Sequence, residues 1–551
     1  MQYATDSAIA RVSRRVSRRG FLGASLASGA LAATGCSVGS NSSSSPASTG
    51  SAGASLDSVT WSFDQVATNL DPIKAGDLPS EAAISSSVQG LVVYNAAGVI
   101  EPYLAQSWSH PDPVTWEFNI RPGVRFWDGS TMTMEDVVYS INRVFHGNGT
   151  IFGGLFGTVT SAKQTGKMQL TIKLSSPNPE FLGLANFLFV GQKAYTEKHS
   201  STLGSPGSLG MFTGPYIMES YVPNESLTLT RFDGYWGQKG AAKKVTFQFI
   251  TDDNTRRLAL QSGQLDGGFS VPATDIASWR QISGIDVVVK PNLQIGYLSM
   301  DVKQSPWSDV HVRRAVAHCV DQAGIVKSIL GGVPTAATSI TPPGEWAPVG
   351  LSANEALSAY QKFQQYPFDI AMAKAELKQS AFPNGFTAKL PVPPTPAYMS
   401  PMALSIAQNL KQIGITLNIV NVQENEYEAG FFTNKNNTGI QILENGPTVD
   451  DPSDFPSIML GQASIVGGGW NTANYVNPKV QTLIEQESAA AKPADRIKPI
   501  MEMLDIASQD VPYVMNYWNE GAMAISSKLK YPGFHAAWYC IQPWAALIFP
   551  A

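Results

Sequence analysis

The residues best able to do chemistry are six histidines (His110, His146, His199, His311, His318, His535) and an acidic run, Asp450-Asp451-Pro452-Ser453-Asp454. The histidines show no His-Glu-x-x-His spacing, the pattern that sets two imidazoles on one helix face around zinc. His311 and His318 fall about two turns apart on one predicted helix, too far to share a metal without further ligands. The acidic run could attract a cation but lacks the spacing of a calcium loop. No Gly-x-Ser-x-Gly elbow occurs in the body of the chain. Ser527-Lys528-Leu529-Lys530 fits Ser-x-x-Lys but stands alone. No phosphate-cradling Gly-x-x-x-x-Gly-Lys-Ser/Thr loop is present, so any ATPase must be a separate subunit. The residues therefore point to binding rather than catalysis, and no cofactor or metal is expected.

Composition narrows the class. The chain has 551 residues, 43% apolar and 15% charged, with a formal net charge of −5. That suits a globular protein of more than one domain. No basic stretch follows the first twenty residues, which disfavours nucleic-acid binding, because phosphate neutralisation needs a Lys/Arg-rich face.

The N-terminal segment reads as an export signal. Ser17-Arg18-Arg19-Gly20-Phe21-Leu22 is a twin-arginine pattern, with Arg14-Arg15 just upstream. The apolar run from Phe21 to Ala33 is too short to span a bilayer and suits a signal core. It ends at Ala33-Thr34-Gly35-Cys36, where small residues before Cys36 mark a lipidation site. Residues 37–56 are rich in Ser, Gly and Ala, as a flexible tether is. The expected location is the outer face of the cytoplasmic membrane, or the periplasmic space, held by lipid on Cys36. Stable attachment needs more than one acyl chain. Cys319 and Cys540 remain in the body and could pair or stay as buried free thiols.

The body predicts alternating strands and helices, an α/β chain. Ser58-Val-Thr-Trp-Ser-Phe63 alternates like a strand, Asn69-Leu70-Asp71-Pro72 turns, Glu81–Leu91 reads as a helix and Leu91–Tyr94 as a strand. Thr115–Arg121 predicts a strand, Pro122-Gly123 a turn, Val124–Trp127 a second strand and Asp128-Gly129 another turn. A helix follows, with Thr133 as N-cap and Asp136 in capping-box position.

Taken in order, these blocks resemble a known family. Leu104–Ser109, Thr115–Gly129, Met132–Ser140, Phe212–Tyr216 with Arg231–Gly237, Asp252–Arg256 with Leu260–Asp266, and Pro306–Val316 with Val320-Asp321 are similar to the large extracellular solute-binding proteins for dipeptides, oligopeptides and nickel. Leu410–Ile415 and Asn471–Pro478 continue the likeness, which covers nearly everything from 58 to 551. The resemblance implies a two-lobed α/β fold of the periplasmic-binding-protein class, with a cleft between the lobes and an extra subdomain on lobe I. Mapped here, lobe I takes 57–100, 215–300 and 512–551, the subdomain 101–214, and lobe II 301–511. The crossings near 300 and 511 would be the hinge, closing on ligand. The protein would be a monomer that captures peptides for the permease and ATPase of an ABC importer.

The resemblance also implies ligand contacts. A lobe II strand would pair with the ligand backbone like an added strand. Here it is Gly439–Asn445, running into Gly446-Pro447-Thr448-Val449-Asp450-Asp451-Pro452. Peptide binders carry an Asp four residues before that Pro, where this chain has Thr448; a neutral hydroxyl cannot make a charge-assisted bond to an ammonium. Asp450 or Asp451 could substitute, or both could be turn and cap residues. Tyr297 would face the cleft. Trp470 and Asn471 follow a glycine run suited to a rim. Asp77 and Leu78 lie in a loop offering backbone groups, and Phe152 and Phe156 in a Gly-rich loop. Glu424, Asn425 and Tyr427 are pocket candidates or an exposed helix start. For each aromatic, core packing is the alternative. A binder of haem or a metal chelate on the same scaffold is the rival reading, with haem wanting a His or Tyr ligand. A secreted hydrolase lacks its motifs.

Overall fold

The computed structural model describes residues 55–394, 396–423, 426–427, 438–466, 469–490 and 492–551. The expected strand near residue 58 forms as Leu56–Phe63, with Val59, Trp61 and Phe63 buried. It runs parallel to Ala242–Phe249 on one side and to Gly267–Gly268 on the other. Gly267 is required there, because a Cβ would fall 2.2 Å from the Trp61 ring. From this centre a nine-stranded sheet extends both ways. One wing adds Ser226–Arg231 and Tyr216–Val222; the other adds Tyr513–Ser526, Ile285–Met300 and Ile440–Asn445, with Thr335–Ala336 on the side of Tyr513–Ser526.

The two long strands, Ile285–Met300 and Tyr513–Ser526, pair antiparallel along both halves of the molecule. Their register shifts between Pro291 and Ile295. The cores change at the same place. Leu293, Met523 and Ile525 pack in the first core with the strands around Trp61, and Ala522 and Ala524 in a small core beside it. Ile295, Tyr297, Met515 and Trp518 belong to another core, and Leu298, Met300 and Val514 to a third, both built from residues beyond 295. These strands are the covalent and hydrogen-bonded link between two hydrophobic bodies.

A four-stranded antiparallel sheet, Ala105–Asp112, Thr115–Ile120, Gln169–Leu174 and Val159–Gly166, stands apart from the large one. The helix Met134–His146 packs with it and begins in the expected capping box: Asp136 N donates to Thr133 Oγ1, and Asp136 Oδ2 accepts from Thr133 N at 2.9 Å. Arg143 near the end of this helix holds the buried Asp71 in two bonds, at 2.8 and 2.6 Å. That ion pair ties the helix to the turn after the central strand.

Two predicted elements differ. The helix expected over Glu81–Leu91 is Leu78–Ile84. Asp77 accepts from Ser80 N and starts it early; Ser86 and Ser87 then turn their carbonyls to Tyr216 N and Gly214 N, both at 3.0 Å. No strand forms over Val124–Trp127, only a single bridge between Arg125 and Thr131. Val124 and Phe126 are buried as a strand would bury them, but Trp127 bonds instead to Phe212 O and, through its indole, to Gly214 O.

His311 Nδ1 lies 2.7 Å from Glu376 Oε2, and His318 Nδ1 lies 2.8 Å from Pro367 O, so the two rings have separate partners. Cys319 and Cys540 are thiols, fully buried in different cores, and Cys540 Sγ donates to Ala537 O at 3.7 Å. Burial pushes the Cys319 thiol up to about 12. A thiol reagent should therefore label neither residue in the native protein and both in denaturant, read by mass spectrometry of their peptides; labelling of Cys540 before unfolding would contradict this packing.

Candidate functional site

Ile440–Asn445 lies at the end of the large sheet, pairing on one side with Ile295–Met300. Among the described residues no strand pairs with its outer edge. An edge strand offers backbone donors and acceptors to an extended partner. Part of the edge is engaged by side chains: Tyr427 donates its hydroxyl to Ile442 O, and Thr438 Oγ1 donates to Ile440 O at 2.9 Å. Glu444 receives the hydroxyls of Tyr398 and Tyr517 at 2.7 and 2.6 Å.

The strand runs into a loop that joins the two halves. Thr448 N donates to Asp454 Oδ2 at 2.6 Å, which folds the loop back on itself. Val449 enters the first core, against Gly183 and Tyr94. Asp450 reaches the same half: Trp538 Nε1 donates to its Oδ2 at 3.3 Å, and its other oxygen, Oδ1, is buried without a partner among the described residues. Gly98 (φ +76°) makes room for it, since a Cβ there would lie 2.0 Å from Asp450 Oδ2. Asp451 points the other way. Arg496 grips it with two bonds, at 2.8 and 2.6 Å, and reaches Glu487 Oε1 at 2.5 Å. Ser453 Oγ then donates to Glu180 Oε1 at 3.1 Å, a second tie to the first half.

Acids outnumber cations in this loop's surroundings. Burial pushes Asp450 up to about 8, with Asp451 adding to it and the Trp538 bond opposing. Burial, then Asp454 and Asp451, also raise Glu180. Burial works to lower Arg496, but Asp451 and Glu487 outweigh it and hold the guanidinium charged.

The other predicted residues are spread over the molecule. Asp77 caps its helix and accepts from Thr68 Oγ1, while Leu78 is core. Phe152 stacks on Phe187 at 5.2 Å and Phe156 packs on Phe145 at 5.0 Å, both inside the first core. Their loop meets the Asp77 loop through Ile151 N and Ile73 O. Tyr297 is fully buried edge-on to Tyr513, its hydroxyl without a partner among the described residues. Asn445 and Gly446 are buried where strand becomes loop. Trp470 is half-buried on the core that holds Tyr297. Asn471 is fully buried, donating to Gly461 O and Tyr475 O. Cys36, Glu424 and Asn425 lie outside the described residues. Sequence reasoning missed Tyr94, Glu180, Glu345, Glu487, Arg496 and Trp538. They meet the loop from far along the chain, and no local pattern marks them.

Comparison with known proteins explains the arrangement. Residues 99–466 match the family described as bacterial extracellular solute-binding proteins, family 5 Middle. The chain belongs to this family. Glutathione-binding protein GsiB of Salmonella paratyphi A is 24% identical over 457 residues, covering 81% of this chain and 86% of that one. The fold matches DppA of Helicobacter pylori in complex with the peptide STSA (TM-score 0.74, 20% identity, 90% and 98% covered). It also matches CtaP of Listeria monocytogenes (TM-score 0.77, 19% identity, 90% and 99% covered). The two hydrophobic bodies are thus the lobes of a family 5 solute-binding protein, the substrate-binding component of an ABC importer. The family is non-enzymatic and periplasmic or extracellular. Among the described residues no helix is long and apolar enough to cross a membrane.

In this family 5 protein the loop makes two predictions. Replacing Arg496 with Met leaves Asp451 and Glu487 buried and unpaired, so urea denaturation should show a loss of about 3–5 kcal/mol. For Asp450, a raised folded pKa means stability that is complete below the unfolded value and lost as pH rises through about 8. Asp450→Asn should remove that loss, giving a melting temperature that falls less between pH 5 and pH 8 than the wild type's.

Proposed function

We propose that this protein is a lipid-anchored receptor that captures peptides between its lobes and passes them to the permease and ATPase of its importer. The observation that carries the reading is the edge strand Ile440–Asn445, whose outer edge pairs with no strand among the described residues and which is continuous with the loop that touches both lobes. An extended peptide adding to that edge would take main-chain bonds from the strand and would sit where closure is felt. In support, GsiB is a glutathione-binding protein and the DppA structure holds a peptide. Thr448 makes the strand's exit neutral where peptide binders have an acid, and Asp450, two residues on, is the acid nearest in sequence. Of the other expected contacts, Asn445 lies on the same strand and Tyr427 bonds to it through its hydroxyl.

The lobe boundary we propose runs through the two long strands, between Leu293 and Ile295 and between Trp518 and Ala522, where the cores change and the register shifts. Hinge closure about that line follows the motion of periplasmic binding proteins. Anchoring through Cys36 after twin-arginine export, and action as a monomer, complete the proposal.

Native mass spectrometry of the gently purified protein tests it. Denaturation should release a ladder of peptide masses, and adding peptides back should restore both the bound mass and the melting temperature. A protein that no peptide pool stabilises, but that haem or a metal chelate does, would sink the peptide reading.

A further inference from the structure

Glu345 is the most unusual acid in the molecule. It lies in the short 3₁₀ turn Pro343–Val349 and is fully buried, and neither carboxylate oxygen has a partner among the described residues. Its neighbours in electrostatic reach are Asp454, Asp450, Asp451 and Glu180, all acids of the loop and of the facing lobe. The turn is pinned at that place: Thr341 Oγ1 donates to Pro452 O at 3.1 Å, and Gly344 lies against Leu293 at the lobe boundary.

The group's resident cation is committed elsewhere. Arg496 spends its donors on Asp451, Glu487 and Ser453. His535 beside Asp450 supplies no charge either: burial, then Lys290, pushes it down to about 4 and keeps it neutral. Asp450 Oδ1, buried beside the same loop, has no partner among the described residues.

Burial, then the surrounding acids, raises Glu345. Protonation removes its charge but leaves an O–H donor and a carbonyl acceptor, each still without a partner. A buried polar group left so costs about 1–3 kcal/mol. A ligand cation with several N–H donors would favour the ionised carboxylate, which accepts at both oxygens, and would offset the surrounding acids as well. Among the described residues no three His, Cys, Asp or Glu are placed to hold a metal ion, which leaves an organic cation.

We infer that the captured ligand carries a side-chain ammonium or guanidinium group, received at the lobe boundary by Glu345 together with Asp450. The inference rests on the peptide-capture reading and narrows it to cationic peptides.

Calorimetric titration of the full-length protein with short peptides, two to five residues long, containing either lysine or norleucine tests it. The backbone and terminal charges are the same in both, so only the side-chain cation differs. The lysine peptides should bind about tenfold more tightly or better, and Glu345→Gln should bring the two within about threefold. Glu345→Gln keeps the shape of the side chain and is expected to melt no lower than wild type; should it fail to fold, Asp450→Asn carries the same test. Equal affinities in the wild type, or a preference that survives both substitutions, overturn the inference and leave peptide capture standing. If no peptide binds, agmatine and spermidine serve as probes in thermal denaturation. Stabilisation of the wild type, lost in Glu345→Gln, keeps the cation and removes the peptide; no stabilisation removes both.

Discussion

Two hydrophobic bodies that act as one protein need a connection that passes from one core into the other. Here that connection is the antiparallel pair Ile285–Met300 and Tyr513–Ser526. A strand pair resists stretching, because its ladder bonds act together, yet it bends where the ladder is interrupted. The interruption between Pro291 and Ile295 sits where the side chains leave one core and enter another. Neither lobe is then a continuous piece of chain: each borrows half of these strands. The central strand around Trp61 reaches the second lobe only through them.

The loop after Asn445 is the second tie, and it works by different physics. Its apolar residue, Val449, is buried in the opposite lobe, and its acids divide between the two. Asp451 is neutralised within its own lobe by a guanidinium held in four bonds, which fixes the loop's base. Asp450 crosses over with one indole N–H for company. Buried charges without close partners are costly, so they persist where something else offsets them. In a receptor that closes on a ligand, proton uptake or ligand charge can supply the offset, and either couples closure to what fills the cleft. Glu345, fully buried, and Glu180, half-buried, come from both sides of the boundary and place the same demand there.

Much of the local structure was legible because it is written in neighbouring residues. The Thr133/Asp136 capping box and the alternation around Trp61 and Phe118 depend on spacings of two to four residues, whereas the strand before Gly446 was expected from the family resemblance. Where legibility failed, the backbone had found a distant partner. Val124–Trp127 has a strand's alternation, but Val124 and Phe126 bond within the local turn, to Met132 and Ser130, and Trp127 goes to Phe212 and Gly214. The serines after Ile84 look helical until their carbonyls are seen to serve Gly214 and Tyr216.

The order of motifs along the chain determined the family and with it the two-lobed fold, because many weak signals in a fixed order leave few alternatives. It also determined that the acids 450 and 451 stand where Thr448 breaks the peptide-binder pattern. What those two acids do was decided only in three dimensions. The loop bends through 448–450, and of these neighbouring acids Asp451 meets Arg496 and Asp450 meets Trp538, partners 45 and 88 residues away. The same holds for Glu345, an unremarkable letter in a Pro-Gly turn until packing removes its water and surrounds it with acids. Burial and long-range electrostatics depend on which surfaces meet, and a linear spacing does not encode that meeting.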